Sequence, residues 1–88
     1  MRHVPFGDSG LRVSVVGFGT APMGSRYGAR EGLRALEVAY ESGITLFDTA
    51  RSYGHGDAER ILGRFLRGKR DRVVVSTKFG IDAPASSV

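Results

Sequence analysis

The chain has 88 residues, a formal net charge of +4 and no cysteine. That is enough for one small domain, and it excludes a disulfide framework or a thiolate metal site. Its 41% hydrophobic and 25% charged content are those of an ordinary globular protein.

Residues 2 to 16 read as a hairpin. His3-Val4-Pro5-Phe6 leads into the turn cluster Gly7-Asp8-Ser9-Gly10, and the return strand runs from Leu11 to Val16. Pro5 lacks an amide proton, which restricts its strand to an edge. Val15 to Thr20 then reads as a short buried strand that the hairpin enters almost directly. The following APMGSRYGAR is rich in turn formers and reads as a loop.

Residues 30 to 42 have helical spacing, with Leu33, Leu36 and Tyr40 on one face and Ala35 and Ala39 beside them. Gly43 suits the left-handed position that ends a helix. Ile44 to Phe47 is too short and too β-rich for a helix and reads as a buried strand. Residues 57 to 67 carry the clearest helical pattern, through Ala58, Ile61, Leu62, Phe65 and Leu66. Asp57 is the expected N-cap and Gly68 the stop. Val73-Val74-Val75 is a further buried strand, running on to Ser76-Thr77-Lys78, and a small, turn-prone tail follows. Hairpin, β, α, β, α, β is the order of an α/β fold with a parallel sheet covered on at least one face.

The positive charge is mostly arginine. Arg60, Arg64, Arg67, Lys69 and Arg70 lie close together in sequence. A small basic nucleic-acid-binding module is one reading of them, but no aromatic platform or binding motif accompanies the charges. The solvated face of one amphipathic helix is the expectation, with no nucleic-acid partner. The opening MRHVPFGDSG lacks the apolar core of a secretory signal, and no run approaches membrane-spanning length. With the absence of cysteine, this leads to an expected cytoplasmic location and no membrane partner.

Two glycine arrangements resemble nucleotide motifs and fail as such. GFGTAP has Pro22 where G-x-G-x-x-G needs its third glycine, and no helix follows directly. GHGDAE has Glu59 at that position. His3 and His55 sit in an edge strand and a glycine loop, so no metal pair is expected.

The remaining candidates are positional. Sites in parallel α/β sheets form at the carboxyl ends of the strands. Asp48 ends the second core strand, Lys78 ends the third, and Tyr53 lies in the loop between them. Two readings fit. One is a structural Asp48–Lys78 ion pair with a tyrosine packed nearby. The other is carbonyl reduction, in which hydride addition leaves negative charge on oxygen and an acid must supply a proton. A free phenol, with a pKa of about 10, is a poor acid near neutrality. A lysine cation about 4 Å away favours the phenolate by roughly 4 kcal/mol at an effective dielectric near 20. In that reading Asp48 holds Lys78, and Lys78 tunes Tyr53.

At this point the sequence resembles the N-terminal third of an aldo-keto reductase. The stretches that carry the resemblance are FGDSGLRVS, VGFGT, GITLFDTARSYGHGDAERILGRFL and VVVSTKFG. The most specific part is D-T-A-x-x-Y-G, followed at helical spacing by Glu59 and ILG, and then by a strand ending in S-T-K. GFGTAPMG and STKFG lean toward the bacterial branch with aldose dehydrogenase-like and pyridoxal reductase-like members.

The resemblance implies that residues 1–88 are the N-terminal portion, hairpin plus β-α-β-α-β, of an incomplete (β/α)8 TIM barrel. It implies NADP(H) as cofactor and a small-molecule carbonyl or alcohol as substrate. Asp48, Tyr53 and Lys78 are then three of four catalytic residues, with Tyr53 as general acid, and Gly19, Thr20 and Asp48 lie beside the nicotinamide. Many members carry a bulky aromatic after the Gly-Thr pair, where this chain has Ala21. The family's catalytic histidine belongs beyond Val88, and His3 and His55 do not match it. The segments that bind the cofactor's phosphate and adenosine are also expected later in the barrel. Substrate choice in such barrels is made by loops after later strands, so this stretch carries chemistry rather than specificity. No oligomeric state is implied. A non-catalytic protein built from such a piece, with a nicotinamide-sensing or assembly role, is the alternative.

Overall fold

The computed structural model describes residues 1–50 and 52–78. The expected tail therefore lies outside the described residues. Two strands, β1 (His3–Pro5) and β2 (Arg12–Ser14), form an antiparallel hairpin in which His3 faces Ser14. A separate sheet contains β3 (Gly17–Gly19), β4 (Leu46–Asp48) and β5 (Val74–Ser76), parallel and in that order. Helix α1 (Ala29–Glu41) connects β3 to β4. A 3-10 turn (Tyr53–Gly56) and helix α2 (Asp57–Phe65) connect β4 to β5.

The order of elements is the one expected, but several boundaries move. The return strand is shorter than Leu11–Val16, and Val15 and Val16 belong to a bend rather than a buried strand. Both are about half exposed. The bend has its own bonds: Val15 N–H donates to the Arg2 carbonyl, and the Ser14 hydroxyl donates to the Val16 carbonyl. These bonds separate the hairpin from the parallel sheet. The second core strand begins at Leu46, two residues later than expected, because Ile44 and Thr45 are otherwise engaged. Ile44 N–H closes the end of α1 on the Ala39 carbonyl, while Gly43 N–H donates to Tyr40. That paired arrangement needs a left-handed residue, and Gly43 has φ +98°. Thr45 ties the hairpin to the sheet. Its N–H donates to the Ser14 hydroxyl at 2.8 Å, and its hydroxyl accepts from Ser14 N–H at 2.9 Å.

Asp57 is not the N-cap of α2. Gly56 occupies that position with φ +94°, and no side chain caps the helix. The preceding 3-10 turn delivers the chain in a conformation that excludes an extended cap residue, so Asp57 becomes the first helical residue and its carboxylate pairs with Arg60. The helix ends at Phe65, earlier than residue 67.

The core lies between the sheet and the two helices. Leu36 and Ala39 of α1 meet Ala58, Ile61, Leu62 and Phe65 of α2 over Phe47 and Val73, and Met23 joins them from the loop after β3. Phe47 is fully buried, with its ring 5.2 Å from Phe65 and 6.1 Å from Phe18. Full burial of a side chain of this size contributes about 1.5–3 kcal/mol. Gly32 makes the close helix contact possible, since a Cβ there would press on Ile61 and the Met23 sulfur.

The basic cluster is not one helix face. Arg60 and Arg64 lie on α2, whereas Arg67, Lys69 and Arg70 follow it in turns. Lys69 is a clamp between the helices. Its ammonium donates to the Phe65 carbonyl, lies 3.4 Å from Glu37 of α1, and sits 4.8 Å above the Phe65 ring. Among the described residues, no helix is long and apolar enough to cross a membrane.

Candidate active site

The register of the parallel sheet aligns its carboxyl ends in one row. Gly19 of β3, Asp48 of β4 and Ser76 of β5 are direct neighbours. Each strand ends by bonding to the next. Thr20 N–H and the Thr20 hydroxyl both donate to the Asp48 carbonyl, at 3.0 and 2.9 Å, and Thr49 N–H donates to the Ser76 carbonyl. The backbone at Asp48 is thus held from one side and its neighbour from the other, while its carboxylate stays partly exposed.

Asp48, Tyr53 and Lys78 come together at this edge. The Lys78 ammonium donates to both Asp48 carboxylate oxygens, at 3.2 and 3.4 Å, and to the Tyr53 hydroxyl at 3.2 Å. The same nitrogen lies 5.3 Å from the centre of the Tyr53 ring. The hydrogen bond to Tyr53, followed by that to Asp48, holds Lys78 above the ordinary lysine range. The cationic form is therefore favoured. The side chains of Lys78 and Asp48 are 54% and 42% exposed, so water screens the pair.

Gly19 and Thr20 occupy different roles in the row. Among the described residues, a Cβ on Gly19 would meet nothing within 4 Å. Thr20 is fully buried, and its hydroxyl is committed to the Asp48 carbonyl. It acts on the site by fixing the strand tip. Ala21 is exposed beside it. His3 lies in β1, and His55 lies in the 3-10 turn with a left-handed φ of +55°. Among the described residues, no cluster of three or more His, Asp or Glu side chains could hold a metal ion.

Sequence reasoning did not single out Gly54 or the Glu59–Thr77 contact. Gly54 has φ +59°, and a Cβ there would run into the Met23 carbonyl. The loop after β3 thereby presses directly on the turn that carries Tyr53. The available signal was the glycine that follows the tyrosine in the Tyr53-Gly54 pair. The Thr77 hydroxyl donates to the Glu59 carboxylate at 3.2 Å, and no local pattern announces that contact.

Asp48, Tyr53 and Lys78 thus meet at the carboxyl edge of a three-stranded parallel sheet covered by two helices. The aldo/keto reductase family model matches residues 15–88, and the chain belongs to that family. It is 46% identical over 77 residues to pyridoxal 4-dehydrogenase of Microbacterium luteolum, covering 84% of this chain and 22% of that protein. It is 36% identical over 88 residues to an aldo-keto reductase of Bacillus subtilis, covering 93% and 27%. Among solved structures, a holo-form aldo-keto reductase from Bacillus halodurans superposes with a TM-score of 0.84 at 34% identity, covering 91% of this chain and 26% of that one. An aldo-keto reductase from Klebsiella pneumoniae in complex with NADPH superposes at 0.69 with 39% identity, covering 77% and 24%. The chain thus spans about a quarter of the length of these relatives, and its elements are part of a (β/α)8 barrel.

Proposed function

We propose that this chain supplies the proton-donating side of the active site of an NADP(H)-dependent reductase for small carbonyl compounds and the corresponding alcohols. The observation that carries the reading is the direction of the hydrogen bonds at Lys78. An ammonium donates and cannot accept. Tyr53 therefore accepts from Lys78, and its own hydroxyl proton stays available to a second partner. A structural ion pair would need only Asp48 and Lys78, and at this exposure water screens it so that it contributes little. That pairing leaves Tyr53 unexplained, whereas proton donation gives it a role.

The residues fit the nicotinamide end of the cofactor. Among the described residues, nothing stands within 4 Å of a Cβ placed on Gly19, in the same row as Asp48, and α1 begins only at Ala29, so no helix N-terminus follows the glycines to receive a pyrophosphate. NADPH, when bound, supplies the hydride to the carbonyl carbon. Tyr53 gives its hydroxyl proton to the carbonyl oxygen as negative charge develops there. Lys78 stabilises the phenolate that remains, and Asp48 orients Lys78 and balances its charge. Oxidation of an alcohol runs the same proton transfer in reverse.

The test is Tyr53→Phe in the full-length protein that carries this chain. Carbonyl reduction should fall by about 10²–10⁴-fold, the usual contribution of a general acid, with NADPH affinity little changed. Near wild-type reduction by this variant refutes the role given to Tyr53.

A further inference from the structure

Among the described residues, the ladder with β4 ends at Ser76, and the segment that presents Lys78 is fixed by side chains. Lys78 bonds to Asp48 and Tyr53, and Thr77 bonds to Glu59. Glu59 lies in the first turn of α2, and the 3-10 turn that carries Tyr53 runs directly into that helix. Thr77 immediately precedes Lys78. The Glu59–Thr77 hydrogen bond therefore joins the block carrying the phenol to the segment carrying the ammonium.

We propose that Glu59 and Thr77 are a positioning pair that sets the reach of Lys78 to Tyr53. The inference rests on the reading of Tyr53 as proton donor. Neither residue touches the reacting atoms. Thr77 is exposed and Glu59 only partly buried, so the bond between them adds little to stability. Its effect falls on geometry. Among the described residues, removing it leaves the segment after Ser76 held by the long and flexible Lys78 side chain alone, which lowers the fraction of molecules in which the ammonium meets the phenol.

The experiment uses the full-length protein, with Thr77→Val, Glu59→Ala and the double variant assayed beside Tyr53→Phe and Lys78→Met. Each single positioning variant should lower kcat for carbonyl reduction by about tenfold, within the roughly hundredfold that a misplacement near 1 Å costs. NADPH affinity and the denaturation midpoint should stay unchanged. The alkaline limb of the pH–rate profile should move in the direction seen for Lys78→Met. The double variant should lose no more than either single one, because the two changes remove one interaction. Thr77→Ser, which keeps the hydroxyl, should restore the rate. If Tyr53→Phe and Lys78→Met lose activity while Thr77→Val and Glu59→Ala do not, the positioning role is wrong and the reading of Tyr53 stands. If all of these variants keep wild-type rates, both are wrong. Losses in the two single variants that simply add in the double variant also overturn the pair.

Discussion

The ammonium of Lys78 lies 3.2 Å from the hydroxyl of Tyr53, across a sequence separation of 25 residues. The parallel pairing of β4 with β5 makes the contact possible, by placing the residues after Asp48 and after Ser76 at the same edge.

That contact predicts a pH effect with a definite sign. Lys78 is held above the ordinary lysine value of 10.5 by its bonds to Tyr53 and Asp48. Its contribution to the fold is therefore fully present below that ordinary value and is lost only as pH rises through the higher folded one. Between about pH 6 and 9 it remains a cation. Removing the cation disfavours a phenolate beside it. In Lys78→Met, the alkaline limb of the pH–rate profile for carbonyl reduction should move to higher pH while the maximal rate falls. Steady-state rates across pH check this, and an unmoved limb counts against the coupling of the two residues.

Gly54→Ala should damage both stability and activity. The substitution places a side chain at φ +59° and drives it toward the Met23 carbonyl. A left-handed conformation alone costs about 1–2 kcal/mol for an L-residue with a Cβ, and the clash adds to that. The turn must shift, and Tyr53 is its first residue. The denaturation midpoint and kcat should fall together. A variant of normal stability and rate shows that the loop contact does not hold the turn.

Thr49→Val should stabilise the protein. Thr49 is 2% exposed, and its hydroxyl oxygen is buried without a hydrogen-bond partner among the described residues. A buried polar group left unpaired costs about 1–3 kcal/mol, and replacement by a group of the same shape removes that cost. The gain should reach about 1 kcal/mol, read as a higher urea midpoint with an unchanged slope. A lower midpoint means that the hydroxyl has a partner when the protein is in solution.

Residues 1–88 purified as an isolated polypeptide should associate and should not bind NADPH saturably at micromolar concentration. Both β3 and β5 present an outer edge in the three-stranded sheet, and unpaired edges recruit other strands. Phe18, Tyr27, Val38 and Ile44 line an open apolar groove along α1, and Val15 and Val16 add exposed surface nearby in the chain. Contiguous apolar surface of this kind favours association. Light scattering and a fluorescence titration decide the matter. A folded monomer that binds NADPH tightly shows that these residues form a self-sufficient domain and overturns the expectation of association.

The sequence by itself determined the order of the elements and the three side chains at the strand exits. Those features are local or periodic. The i, i+3, i+4 spacing of Ala58, Ile61, Leu62 and Phe65 marks α2, Gly43 marks the end of α1, Asp48 follows directly on the apolar run that ends at Phe47, and Lys78 stands three residues after Val75. Only the tertiary structure decided how the ends of those elements are used. Ile44 and Thr45 look like strand residues, but the Ile44 amide closes a helix and the Thr45 amide ties the hairpin to the sheet. Asp57 looks like a cap, but Gly56 is the cap because the turn before it is left-handed. The Thr20 hydroxyl finds its acceptor 28 residues away, in the Asp48 carbonyl. Ser14 with Thr45 and Glu59 with Thr77 are paired across 31 and 18 residues. A local pattern encodes the conformation of a segment, whereas the partner of a polar side chain depends on which distant segment packing brings within about 3 Å.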